Sequence, residues 1–514
     1  VLRYSNVWVG SLIAFIASGC TLVIELIAGR IMAPYIGVSL YTWTSIIGVV
    51  LAGISLGNYV GGRIADRRAT PTTLGLLFIV SGLATLFILF ATQLLANGTL
   101  PRTIPLVPRI VLYTTIIFFL PSFLLGTISP VVVKLTLNDL NQTGNVVGRI
   151  YAFSTAGSIV GTFLTGFVLV EMMGTRAIVW SVGILLIFMG LVIGQFWRGL
   201  ARQMTGAMVV AGLGGFLWQY GGHFQAPCLK ETSYYCIKVI DQELPEGIPV
   251  KALVLDHLIH SYNSVEDPTV LGYGYERIYA EITTYVAEKK PALRALFVGG
   301  GGYTFPRYLE AVYPQSQIDV VEIDPWVTEI SHLYLGLRRD TRIRTFNQDA
   351  RLFFIERQPE KEYDVIYGDA FNDLSIPYHL TTAEFAGQLR KSLKDDGLYI
   401  ANVIDNFQTG EFLRAYMRAL KVHFPYLYLF GIGRSWEVNA PNTFVVVAAL
   451  QPLDLQAWQE TVARKNGGRI TSAVLPAEDL ARYLQSGRPI VLTDDYAPAD
   501  NLVAPLFIQR ERVN

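Results

Sequence analysis

Residues 293–306 read LRALFVGGGGYTFP, and 318–323 read IDVVEI. The first run is a short apolar strand, Leu293–Val298, that breaks directly into four glycines, Gly299 to Gly302. A helix is expected from Thr304 to Val312, with Thr304 as its cap and Pro306 in its first turn. The second run, Ile318–Ile323, is another strand, and Glu322 at its end lies 20 residues after Gly302. Glycines let a ligand approach the backbone, a helix N-terminus offers N–H donors, and an acid at this spacing accepts from ribose hydroxyls. Gly299, Gly301 and Glu322 are therefore the expected contacts of a nucleoside cosubstrate. The bland alternative is a tight turn followed by a solvated glutamate.

Outward from this unit, strands and helices alternate. Helices are expected at Tyr275–Glu288, Pro325–Tyr334, 382–394 and 409–421, and strands at Tyr363–Gly368, Leu398–Val403 and Thr443–Ala449. Such alternation predicts a mostly parallel, doubly wound, Rossmann-like α/β sheet over 291–514. Asp369 falls at the end of the Tyr363–Gly368 strand, where ligands of such sheets collect. Asp364, at that strand's start, reads as structural. Asp349, in NQDARLFF, reads as an acceptor for an adenine amino group or as a plain helix cap with Phe353 and Phe354 in the core. Before the sheet, Tyr234–Val239 and Ala252–Leu255 form a small β-hairpin domain. With its connecting helix it makes up 223–290.

The first 222 residues differ in kind. The whole chain has 514 residues, 52% hydrophobic and 16% charged, with zero net charge. Residues 1–222 hold 12 Lys/Arg and 4 Asp/Glu, and the rest hold 29 and 37. No basic strip suggests nucleic acid. Uncharged stretches at 4–24, 31–62, 69–101, 110–133, 150–170 and 177–197 each suit a membrane span, for which roughly 20 residues suffice. A short glycine-rich stretch at about 205–220 brings the expectation to about seven spans, in a chain integral to a bilayer such as a bacterial inner membrane. The first span does not read as a cleaved signal peptide. Arg63, Arg67 and Arg68 place the loop after the second span in the cytoplasm. Seven spans then put the C-terminal half outside and six keep it inside. Cys228 and Cys236 either pair, favouring the outside, or stay as two buried thiols; Cys20 reads as packing. Glu25 and Arg30 read as an interfacial ion pair or a functional intramembrane acid. Gly61–Arg68 reads as a structural loop, and the small residues from Gly148 to Gly166 as helix packing.

The glycine run, Glu322, Asp349 and Asp369, in this order, resemble the polyamine aminopropyltransferases, the spermidine synthase family, over about 230–450. The whole chain resembles the membrane-fused spermidine synthase-like proteins of bacteria, through Glu25–Gly37, Gly61–Arg68, Asp369-Ala370-Phe371 and Leu492–Pro498. The resemblance implies transfer of an aminopropyl group from decarboxylated S-adenosylmethionine, or use of S-adenosylmethionine itself, with no metal. The acceptor would be a small-molecule amine such as putrescine. It implies that Asp369 accepts from the attacking amine, that Tyr279 orients it, and that Glu322 and Asp349 hold the nucleoside. The family's usual pattern differs at Gly302 (an aspartate gripping the donor amine), Ala280 (glutamine or histidine), His260 (glutamine) and Asn372 (aspartate, with Asp373 adjacent). His260, Asp373, Asp495 and Tyr496 are the remaining candidates for substrate binding, the last two if the tail folds over the cleft. His257 is a weaker catalytic candidate, His379 reads as shaping the loop before a helix, and Tyr273 and Tyr275 read as entrance or packing residues. The rival readings are a methyltransferase, a degenerate nucleoside-binding scaffold subunit, and export coupled to the C-terminal half. A homodimer or membrane-complex partner is left open.

Overall fold

The computed structural model describes residues 6–37, 39–96, 104–137, 139–196, 228–370 and 376–513, with Arg198, Gln203, Gly206, Ala207 and Gly212 between them. The chain divides into two compact units, Val1–Cys236 and Ile237–Asn514.

In the first unit, six helices among the described residues are long and apolar enough to cross a membrane: Val7–Ile36, Leu40–Arg68, Pro71–Gln93, Val107–Thr136, Leu140–Leu169 and Thr175–Gly194. The expected seventh, at about 205–220, lies almost wholly outside the described residues. The six pair first with fifth, second with fourth and third with sixth. Glycine makes each pairing close. A Cβ on Gly161 would stand 2.6 Å from the Gly19 carbonyl, one on Gly126 2.7 Å from that of Ile54, and one on Gly75 2.6 Å from that of Gly190. Such close backbone approach gives paired helices extensive van der Waals contact. Gly157 and Gly161 pack in this way, whereas Gly148 and Gly166 face nothing.

Two expectations change here. Gly61–Arg68 is not a loop: the second helix continues through Arg68, with Gly61 seated on Thr127. Arg30 does not pair with Glu25. Its Nε lies 3.8 Å from Glu231 Oε1, and its guanidinium donates to the carbonyls of Ser233 (2.9 Å) and Thr232. Cys228 and Cys236 are joined by a disulfide around the two-residue strand β1 (Lys230–Glu231), and Cys20 is buried and free.

The second unit opens with antiparallel strands β2 (Cys236–Glu243), β3 (Pro249–Leu255) and β4 (Leu258–Asn263). Sequence reading missed β4. After the helix Gly274–Lys289 comes the main sheet: β5 (Arg294–Val298), β6 (Gln317–Glu322), β7 (Arg344–Asn347), β8 (Tyr363–Gly368), β9 (Leu393–Asp405), β10 (Tyr426–Ile432), β11 (Asn442–Ala449) and β12 (Ser472–Val474). Their order is β12-β10-β11-β9-β8-β5-β6-β7. The five strands from β9 to β7 are parallel, and the other three add antiparallel. β5, β6 and β8 are nearly continuous apolar runs because helices cover both faces. Ala383–Ser392 and Phe412–Lys421 pack on one face, and Gly274–Lys289 and Leu455–Lys465 on the other. Asp364 sits at the amino end of β8, held by Lys290, Lys394 and the Arg294 N–H, each at 2.9 Å. It is structural.

The chain runs from β5 to β6 and β7 on one side, then returns to place β8 on the other. The switch point lies between β5 and β8, where the loops that follow diverge and leave a crevice.

Candidate active site

At this switch point the glycine turn after β5 meets Asp369 after β8. Gly301 has φ 51°, and a Cβ there would lie 2.9 Å from Asp369 Oδ2. Gly300 N donates to Glu322 Oε2 at 2.7 Å, and Asp324 N donates to Glu322 Oε1 at 2.9 Å. Glu322 and Asp369 thus flank one turn. Burial pushes Glu322 up to about 7, two main-chain amides opposing it. Burial also pushes Asp369 up to about 7. Hydrogen bonds from Tyr275 and Asn402 oppose that rise, and the Glu322 charge adds to it.

Asp369 opens onto a cavity of about 460 Å³, within the usual range for small-molecule sites. Tyr275 Oη donates to Asp369 Oδ2 at 3.4 Å, and Asn402 Nδ2 to Oδ1 at 2.9 Å. Tyr262, Tyr273 and Tyr275 form a run of rings with centroids 4.9 and 5.5 Å apart along one wall. His260 stands at the wall with Nδ1 3.0 Å from the Leu258 carbonyl, and His257 is exposed at the lip. Ile376, Ile404, Val503 and Leu506 make the apolar side.

Tyr279 is not the phenol on Asp369. It is fully buried one helical turn deeper, and its hydroxyl donates to the Gly368 carbonyl at 3.2 Å. Asp349 is a helix cap: Oδ1 accepts from Arg351 N (2.8 Å) and Leu352 N (3.1 Å), and Oδ2 meets His379 Nε2 at 2.9 Å. Phe353 and Phe354 are core, as the cap reading expected. Asp373 and Asn372 lie outside the described residues. The tail does reach the cavity, but through Val503 and Leu506 of the helix Ala499–Val513. Asp495 and Tyr496 are exposed, in the turn closed by Thr493 and Tyr496, and Asp494 pairs with Arg351. Thr304 does not cap its helix; it is the first helical residue, and its hydroxyl donates to Asn263 Oδ1 at 2.9 Å. Gly302 has φ 72°, and a Cβ there would overlap the Ser261 hydroxyl of β4.

Sequence reading missed Asn402 and gave Tyr275 only a packing or entrance role. Asn402 had a signal: it is the single amide in the otherwise apolar stretch Leu398–Ile404 apart from Tyr399, and a buried strand tolerates such a group only with a partner.

Residues 276–430 match the spermine/spermidine synthase domain. The C-terminal unit is spermidine synthase-like. A polyamine aminopropyltransferase of Vibrio vulnificus is 40% identical over 111 residues, covering 21% of this chain and 37% of that protein. Polyamine aminopropyltransferase 2 of Aquifex aeolicus is 24% identical over 407 residues, 76% of this chain and 78% of that one. The chain thus spans little more than a third of the first relative. The crystal structure of a probable spermidine synthase from Corynebacterium glutamicum aligns with a TM-score of 0.45 at 20% identity, over 52% of this chain and 95% of that one. Within the synthase domain the match takes in the glycine turn, Glu322, Asp349, Asp369, Tyr279 and Asn402, and begins one residue after Tyr275.

Proposed function

We propose that this chain is a membrane-integrated aminopropyltransferase that moves an aminopropyl group from decarboxylated S-adenosylmethionine to an amine nitrogen. One observation carries the reading: a carboxylate raised to about 7 stands at the switch point, beside a bare glycine turn and open to a small cavity. The family match and the relatives' names support the reaction type.

The donor supplies an electrophilic carbon on a sulfonium and leaves as a neutral thioether. Everything else falls to the chain. The uncovered backbone at Gly301 admits the donor beside Asp369. Glu322 keeps a second lone pair on each oxygen after its main-chain bonds, enough to accept from ribose hydroxyls. Asp349 serves the adenine edge in the same way from its capping position. Asp369 takes the proton of the attacking amine; a carboxyl near neutral pKa is well matched to that task. Tyr275 and Asn402 fix its plane, and Tyr279 supports the strand end beneath at Gly368.

The six apolar helices are the proposed membrane part. The test is incubation of the purified chain with decarboxylated S-adenosylmethionine and an amine panel, reading methylthioadenosine and aminopropylated product. Amine-dependent release supports the reading. Methyl transfer from S-adenosylmethionine, or no release with any amine, rejects it.

A further inference from the structure

Acidic side chains around the cavity are mostly committed elsewhere. Glu322 receives two main-chain amides, and Glu276 accepts from Tyr273 N at 3.1 Å. Asp349 caps a helix and meets His379, and Asp494 is paired with Arg351. Gly302 cannot carry a side chain while the Ser261 hydroxyl holds its place. Among the described residues, Asp369 is the sole carboxylate lining the cavity.

Beside it stands an acceptor with nothing to accept. Asn402 gives its Nδ2 to Asp369 Oδ1, which fixes how the amide is turned. Its Oδ1 is buried without a hydrogen-bond partner among the described residues. A buried carbonyl oxygen left in this state costs free energy until something donates to it. Two acceptors, one charged and one neutral, therefore sit at one end of the cavity. No second carboxylate lines the cavity among the described residues: His257, His260 and Thr443 add polar groups, the tyrosines add rings, and Ile404, Val503 and Leu506 make an aliphatic side. An ammonium pressed against the aliphatic side would lose its hydration with no charge to replace it.

We propose that the acceptor is a primary amine with a single basic nitrogen on an apolar body, its N–H groups held by Asp369 and the Asn402 carbonyl and its body against Ile404, Val503 and Leu506. This rests on the transfer reading for its chemistry. The nitrogen lone pair forms the new N–C bond as the C–S bond of the adenosyl sulfonium donor breaks. The bonding pair goes to sulfur, and the amine proton passes to Asp369. The choice of amine rests on the cavity alone.

Calorimetry on the full chain in lipid nanodiscs, with pentylamine, phenethylamine, putrescine and spermidine and no donor, separates the two. The monoamines are expected to bind roughly tenfold or more tightly than either polyamine. Asn402→Leu is expected to remove most of that binding, with a single cooperative melt showing that the variant still folds. Ile404→Asp, at a half-buried wall position, is expected to add a second charge partner and reverse the preference toward putrescine. Equal or stronger polyamine binding by the unaltered chain overturns the proposal, as does unchanged monoamine binding by Asn402→Leu. Monoamine binding without turnover of decarboxylated S-adenosylmethionine would leave this assignment standing and reject the transfer reading instead.

Discussion

Tyr275 Oη lies 3.4 Å from Asp369 Oδ2, joining the first turn of the helix Gly274–Lys289 to the end of β8. This contact brings a helix that precedes the main sheet into the site. It also assigns different work to two tyrosines one turn apart.

Tyr275→Phe is expected to lower kcat by roughly tenfold or more, because the bond that orients the carboxylate is gone. Tyr279→Phe, which loses only a buried bond to the Gly368 carbonyl, is expected to cost about 1 kcal/mol of stability with a smaller effect on rate. Steady-state kinetics and thermal melts of the two variants give the comparison. The reverse ranking of rates would return the orienting role to Tyr279.

The titration of Asp369 predicts a pH profile. Its carboxyl is raised to about 7, chiefly by burial, and only the ionised form can take a proton from the amine. kcat/KM is therefore expected to fall as pH drops through about 7. Tyr275→Phe removes a bond that favours the ionised form, so this limb should move to higher pH. A limb that stays put in the variant would separate it from Asp369.

Glu322 gives the stability counterpart. Its folded value, about 7, lies above the ordinary carboxylate range, so folding favours the protonated form. That contribution is complete in acid below the ordinary carboxylate range and is lost as pH rises through about 7. The thermal midpoint of the C-terminal unit should decline between about pH 4.5 and 7 and level off above, and Glu322→Gln should flatten the decline. Equal slopes for the two proteins would remove Glu322 as its source.

The architecture was legible where side-chain periodicity and punctuation agree. The helices Thr304–Val312 and Pro325–Tyr334 and the strand Tyr363–Gly368 fall at their expected bounds because glycine or proline marks their edges. β7 and β12 are only four and three residues long, too short to show a period. β10, with alternating Tyr and Leu after Pro425, was readable and overlooked. The site was harder. Tyr275 and Tyr279 share one helix face by spacing, and spacing gives the face but not the depth. Which acids are already engaged depends on contacts such as Asp349 with His379 and Asp494 with Arg351, between residues far apart in the chain.

Gly302 tests whether the glycine turn could carry an aspartate. With φ 72° and Ser261 against the missing Cβ, Gly302→Asp is expected to cost about 2 kcal/mol or more. Adding Ser261→Gly should recover part of the loss. Denaturant melts decide it, and an unperturbed Gly302→Asp variant would refute the packing argument.

The disulfide predicts that Cys228 and Cys236 resist a maleimide in the folded chain until a reductant is added, because a paired cysteine offers the reagent no thiolate. Labelling without reductant would show the two thiols free.

The most direct trial of the central claim is methylthioadenosine release by the purified chain and by Asp369→Asn, with decarboxylated S-adenosylmethionine and a saturating amine. The expected result is amine-dependent release that falls roughly a hundredfold or more in the variant, with donor binding retained. Release by the variant at the rate of the unaltered chain would contradict the account.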